Sequence, residues 1–153
     1  MATFDSTRYI ESMKEVIYEY LKSILPDTKI TYAYPDFAND ELELSKPEIA
    51  VEFNNSKNID YSAGKNTGRG KRAKRKLIRF SFQVLSSGDG KGILERDRIV
   101  QLIEMEMGKP ETIHWFAKRG MKELDIRFVN SYRARENVHV ARLEMFVYIT
   151  LLN

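Results

Sequence analysis

Apolar residues recur at intervals of three and four positions between Tyr9 and Leu25. This spacing places them along one stripe of an α-helix, which predicts an amphipathic helix that packs against a sheet. Pro26 ends the predicted helix, because the proline ring disfavours helical geometry at the preceding residue. The polar face carries both signs of charge, which argues against a helix that lies on an anionic membrane.

Alternation of apolar and polar residues predicts five strands, around positions 30–34, 49–53, 78–84, 124–128 and 141–151. A second helix is predicted from about Ile93 to Met107, where Gly108 and Pro110 stop it. The pattern over 111–122 fits either a short helix or an irregular segment. The polar stretch 131–137 is interpreted as a connection between strands.

The predicted element order is therefore α-β-β-β-α-β-β. Because turns join neighbouring strands, mostly antiparallel pairing is expected. The fold class predicted is α+β: a mostly antiparallel sheet of about five strands, covered on one face by two helices. At 153 residues, the chain 1–153 is expected to form a single domain.

The last predicted strand is apolar on one face at six of six positions, which are Ala141, Leu143, Met145, Val147, Ile149 and Leu151. Its other face also becomes apolar towards the end, at Phe146, Tyr148 and Leu152. A two-faced apolar strand is an aggregation hazard when bare. These three residues are therefore a candidate subunit interface, with cover by a helix of the same chain as the alternative.

Charge is distributed unevenly along the chain. The segment 65–79 holds eight basic residues and no acidic one: Lys65, Arg69, Lys71, Arg72, Lys74, Arg75, Lys76 and Arg79. The rest of the chain has 17 basic and 22 acidic residues, a net charge of −5. Such a run cannot be buried unpaired, so it must face solvent, a polyanion or an acidic partner. Because patterned strands flank it, segment 54–76 is predicted to be a projecting basic loop, the tip of a long β-hairpin arm that docks on a partner.

Several classes of protein are disfavoured by composition. The chain has no cysteine, so disulfides, thiolate metal sites and a cysteine nucleophile are excluded. The N-terminus lacks the pattern of a signal peptide, and no apolar run reaches about 18 residues.

No catalytic signature stands out. His114 and His139 share no metal-ligand spacing with each other or with a carboxylate, and the glycine-rich turn 86–92 lacks the spacing of a phosphate-binding loop. A nuclease site would need clustered carboxylates, and the candidates are Asp36, Glu48 and Glu52. Glu48 and Glu52 lie roughly 13 Å apart on one strand face, too far to share one metal. No enzymatic activity, cofactor or metal is expected.

The arrangement of the whole chain resembles the tail terminator (tail completion) proteins of long-tailed bacteriophages and related minor tail or neck proteins. The likeness rests on a helix ending at ILPD, the strands ITYAYP and KPEIAVEF, a long loop, the strand RFSFQVLSSG, the helix ERDRIVQLIEMEM and the closing strand HVARLEMFVYITLLN.

The resemblance implies a structural virion protein, assembled in the host cytoplasm, that forms a homohexameric ring. Such a ring caps the tail tube and offers the head-tail joining surface to the connector or neck protein. The basic arm would meet the tube, the connector or DNA. An alternative function is a nucleic-acid-binding module that uses the same arm, since lysine and arginine on phosphates release counterions.

Overall fold

The computed structural model describes residues 3–32, 46–60, 73–88 and 90–152. These residues form six strands and three helices. In chain order they are β1 (Phe4–Asp5), α1 (Tyr9–Ile24), β2 (Lys29–Thr31), β3 (Glu48–Asp60), β4 (Ala73–Ser87), α2 (Gly90–Met107), α3 (Pro110–Lys118), β5 (Lys122–Arg135) and β6 (Val138–Leu152).

The six strands form one curled, half-barrel sheet in the order β1-β6-β4-β3-β2, with β5 also paired to β6. Pairing is antiparallel between β3 and β4, β4 and β6, and β5 and β6. Pairing is parallel between β1 and β6 and between β2 and β3. Strand β4 pairs with one edge of β6 along its whole length, as far as Leu152. Strand β1 therefore pairs with the other edge of β6, the edge that β5 also uses, and it lies beyond Lys122 at the start of β5.

The predicted α+β class, with about five mostly antiparallel strands under two helices, is wrong: the fold is mixed α/β, with parallel and antiparallel pairs and three helices. Two short elements account for much of the difference. The two-residue strand β1 is too short to show alternation, and α3 lies in the region left open from the sequence. Strands β2 and β3 pair in parallel, and the 16 residues between them are long enough for a parallel connection rather than a tight turn.

All three helices pack on the same face of the sheet. Their buried side chains include Met13 and Leu21 of α1, Ile103 of α2 and Phe116 of α3. The sheet contributes alternate residues of β3, β4 and β6 to the same core, and they are Ile49, Val51, Ile78, Phe80, Phe82, Val84, Ala141, Leu143, Met145, Val147, Ile149 and Leu151. The six predicted core positions of the last strand are therefore confirmed. The opposite side of the sheet is called the back face below.

The strands extend further than apolar alternation indicated. Strand β5 runs through Arg135, so the prediction of a connection over 131–137 is wrong except at its end. A two-residue turn, Glu136 and Asn137, joins β5 to β6, and Asn137 has a φ of 60°. Asparagine tolerates this left-handed conformation better than most residues, which suits it to the turn.

A buried hydrogen bond joins α1 to α3. The hydroxyl oxygens of Tyr20 and Thr112 lie 3.2 Å apart, and the Tyr20 ring packs edge-on against Phe116 at 5.1 Å between centroids. Burial raises the pKa of Tyr20, so its hydroxyl stays protonated and able to donate.

Replacing Tyr20 with phenylalanine removes this hydroxyl and leaves that of Thr112 without its tyrosine partner. We expect Tyr20→Phe to lower the free energy of unfolding by about 1 kcal/mol, measured by urea denaturation. The half-exposed Tyr18 on the same helix provides the matched control, and Tyr18→Phe should change stability by less than about 0.5 kcal/mol. Equal effects of the two substitutions would contradict this account.

Candidate assembly surface

The last four basic residues of the run lie in β4, where it pairs with β3 and β6. Lys65, Arg69, Lys71 and Arg72 lie outside the described residues, whereas Lys74, Arg75, Lys76 and Arg79 belong to β4. Residues 54–60 and 73–76 of the predicted loop are strand, paired with each other as far as Asp60 and Arg75. The last part of the basic run therefore lies within a hydrogen-bonded pair of strands.

Strand alternation divides the four described basic residues between the two faces of the sheet. Lys74 and Lys76 pair with Leu151 and Ile149, which places them on the face that carries the helices. Arg75 and Arg79 lie on the back face, opposite Thr150 and Phe146. The charge of the described part of the run is thus presented on both sides of the sheet.

The two arginines are held by neighbours within the chain. The Arg75 guanidinium lies 3.8 Å from a Glu123 carboxylate oxygen and 4.8 Å from the ring centroid of Tyr148. The Arg79 guanidinium lies 3.8 Å from a carboxylate oxygen of Glu144. Within the described part of the chain, neither Lys74 nor Lys76 forms an ion pair, so their charge is available to a partner.

Glu144 is the centre of a polar network on the back face. Its carboxylate lies 3.4 Å from Arg142 as well as 3.8 Å from Arg79, and its side chain is largely buried. Arg142 also donates a hydrogen bond of 3.1 Å to the hydroxyl of Ser81, which accepts a second one from Asn54. One carboxylate therefore holds two arginines from adjacent strands.

Arginine side chains cover much of the second apolar face of β6. Phe146 is half-buried beneath the Arg127 guanidinium, 5.0 Å from the ring centroid, and Tyr148 is half-buried beneath Arg75. Leu152 is exposed. Cation–π contacts and long side-chain stems can shield apolar surface in this way. Of the three residues predicted at a subunit interface, two are thus partly shielded within the chain, and their role in a contact stays a prediction.

The sequence pattern did not predict that a stretch of β5 is exposed. Every residue from Arg127 to Arg133 is exposed, including Phe128, Val129 and Tyr132. A signal was present at Tyr132, because a large apolar residue in a segment interpreted as a connection has no core to enter. Phe128 was placed in the apolar alternation of the predicted strand 124–128, but it is exposed. The stretch was overlooked because Arg, Asn and Ser interrupt its alternation.

The described residues that were considered for catalysis form no common cluster. His114 is exposed on α3, whereas His139 is buried and bonds through Nε2 to the carbonyl of Gly88 at 2.7 Å, which fixes the turn before α2. Glu48 pairs with Lys29 at 3.4 Å, and Asp36 lies outside the described residues. Across the described ranges, no group of three or more His, Cys, Asp or Glu is arranged to hold a metal ion. No helix in those ranges is long and apolar enough to cross a membrane.

Comparison with known proteins gives a likeness in structure only. No protein family matches the chain, and no curated protein does. Among solved structures, the chain is similar to the sheath/tube terminator, in its extended state, of PVC, an extracellular contractile injection system. The likeness covers all of this chain and 58% of that chain, with 11% sequence identity and a TM-score of 0.45.

The back-face network can be tested by removing its central charge. Glu144→Gln should leave Arg79 and Arg142 facing each other without a carboxylate and lower the free energy of unfolding by about 1–2 kcal/mol in thermal or urea melts. Glu123→Gln is the matched control, because its pair with Arg75 is largely exposed and should be worth under about 1 kcal/mol. A larger loss in the control than in Glu144→Gln would refute the central role of Glu144.

Proposed function

We propose that this chain is a structural subunit of a tail-like particle, a terminator that forms a ring and caps the end of the tube. The observation that carries the proposal is the basic run, which ends on a strand pair anchored in a long sheet. The strand pairing and the ion pairs of Arg75 and Arg79 hold the last part of the run at one end of the sheet. A rigid body that presents concentrated charge is suited to docking, and the proposal assigns it no catalytic step.

In this proposal the partners are other copies of the chain in a homohexamer, the tube protein, and the connector or neck protein. The chain would reside in the tail or neck of a bacteriophage virion. Six copies of the basic run around a ring would multiply its attraction for an acidic surface. They would also repel one another until that surface arrives. The order of elements along the chain, which resembles that of tail terminators, agrees with this assignment.

Nucleic-acid binding is the second candidate, favoured by the same eight charges. The back face gives it little support, because Arg75, Arg79, Arg127 and Arg142 are each near an acidic side chain. The two functions differ in what removal of the charge would abolish: assembly at a tube end in one, and salt-sensitive DNA binding in the other.

We expect a charge-neutralised variant to keep its fold and lose its capping activity. The variant spares the anchored arginines and changes four residues to glutamine: Lys71, Arg72, Lys74 and Lys76. The measurement is the length distribution of tubes assembled with the purified protein, imaged by negative-stain electron microscopy. With the wild-type protein the tubes should stop at a capped end, and with the variant they should overgrow.

The matched control removes the same charge from exposed positions outside the arm, by changing four residues to glutamine: Arg8, Arg98, Lys109 and Lys118. It should cap tubes as the wild type does. Binding of a DNA duplex by fluorescence anisotropy at low salt separates the second candidate. If the wild type binds DNA, the arm variant does not, and tubes are unaffected by either protein, the nucleic-acid function replaces the terminator.

A further inference from the structure

A groove of about 680 Å³ lies between the end of α1 and one side of α2. Most of its lining is apolar and comes from Ile24, Leu25, Pro26, Pro47, Ile99 and Leu102. Glu95 and Arg98 of α2 also line it, and they form an ion pair with each other at 3.6 Å. An apolar groove of this size with charged groups around it has the character of a binding surface.

A second surface of the chain presents the opposite feature, apolar side chains that stand out into solvent. Phe128 is 46% and Val129 44% exposed on β5, and they are called the β5 patch below. Phe128 pairs with Leu143 and Arg133 pairs with His139, so strand alternation places Phe128 and Arg133 on the helix-bearing side of the sheet. The patch is thus an apolar projection with an exposed positive charge beside it.

The groove and the β5 patch lie at the same level of the sheet. The paired residues Arg133, His139 and Ser86 form one row across β5, β6 and β4. Pro47 of the groove comes directly before Glu48, whose partner on β4 is the residue next to Ser86. Among the described strands, β6, β4 and β3 stand between β5 and β2. One copy can therefore offer the patch on one side and the groove on the other.

The two surfaces carry free charges of both signs. Asp27 and Lys46 are exposed at the groove, whereas Arg133 and Glu136 are exposed at the end of β5 and in the turn that follows it. Within the described part of the chain, none of these four side chains forms an ion pair. A contact between the groove and the patch allows Arg133 to pair with Asp27 and Glu136 to pair with Lys46. Such complementarity favours one orientation of the two surfaces.

We propose that the β5 patch of one copy docks into the groove between α1 and α2 of the next copy. The contact joins two different surfaces, so every copy uses both, and repetition gives a ring when the rotation per copy closes. Contact between two patches would give a two-fold dimer and leave both grooves unfilled. The inference rests on the ring proposed above and names the surfaces that build it.

Phe128 is the residue that would contribute most to this contact. An aromatic side chain that enters an apolar groove is a common anchor of protein interfaces, and most of the binding energy resides in a few such residues. Val129 lies at a register shift between Phe128 and Asn130, where β5 has one more residue than β6. Bulges of this kind re-aim side chains, which suits a patch that must project from a sheet.

Mixing two variants tests whether the contact joins different surfaces. Phe128→Lys removes the patch and Leu102→Lys removes the groove, and each alone should weaken self-association of the full chain by about tenfold or more, measured by light scattering over a concentration series. An equimolar mixture should form heterodimers and nothing larger, because one variant keeps its groove and the other keeps its patch. The matched control is Met105→Lys, at an exposed apolar site on α2 outside the groove, and it should associate as the wild type does.

Charge reversal tests the orientation, and it keeps the contact testable if Leu102→Lys does not fold. Asp27 and Arg133 are exposed, so Asp27→Arg and Arg133→Asp should leave thermal unfolding of the monomer unchanged. Each should weaken self-association by about threefold or more, and the double variant should restore it. Glu104→Arg reverses an exposed charge on α2 outside the groove and should have no effect. A double variant that associates no better than the single ones overturns the assigned orientation.

The outcomes separate this inference from the proposed function. An oligomer that is lost in Phe128→Lys but kept in both Leu102→Lys and Asp27→Arg overturns the docking into the groove in favour of a two-fold contact. Phe128→Lys protein that still caps tubes overturns the contact and leaves the terminator standing. If the wild type associates only on tubes, loss of capping in Phe128→Lys and Asp27→Arg, but not in the controls, supports the contact. A wild-type chain that stays monomeric at all concentrations, and does not act on tubes, overturns both.

Discussion

Strand β6 positions the rest of the sheet, directly or through β4. It pairs with β4 over its whole length, from Val138 to Leu152, and with β5 and then β1 on its other side. Its six helix-facing residues are buried against the three helices. A shift of one residue in its register would move all six to the back face, so burial of this strand fixes the pairing of its neighbours.

The two faces of the sheet are held by different physical effects. The helix side is an apolar core that excludes water, and it dominates stability. On the back face, charge acts towards the end of β6, where Glu144 joins Arg79 and Arg142 while Arg75 and Arg127 lie over aromatic rings. Towards the start of β6, the same face buries a smaller apolar cluster of Ala50, Leu85, Val138 and Val140. Exposed ion pairs are individually weak, but together the charged side chains fix the last part of the basic run and shield the apolar end of β6.

The described part of the basic run and the exposed stretch of β5 lie towards opposite ends of β6. The basic run leads into the start of β4, which pairs with the end of β6, whereas Arg133 and Arg135 of β5 pair with the start of β6. These sites lie at opposite ends of a strand about 45 Å long at the usual rise per residue.

Local pattern in the sequence determined both long helices, the buried face of β6 and the charge of the segment 65–79. Each of these depends on spacing or composition within a few residues. Only the tertiary structure decided the parallel pairings of β1 and β2, the exposure of Phe128 and Val129, and the sharing of Glu144 by two arginines. Those features join residues far apart in sequence, and a strand's periodicity carries no information on which strand lies beside it.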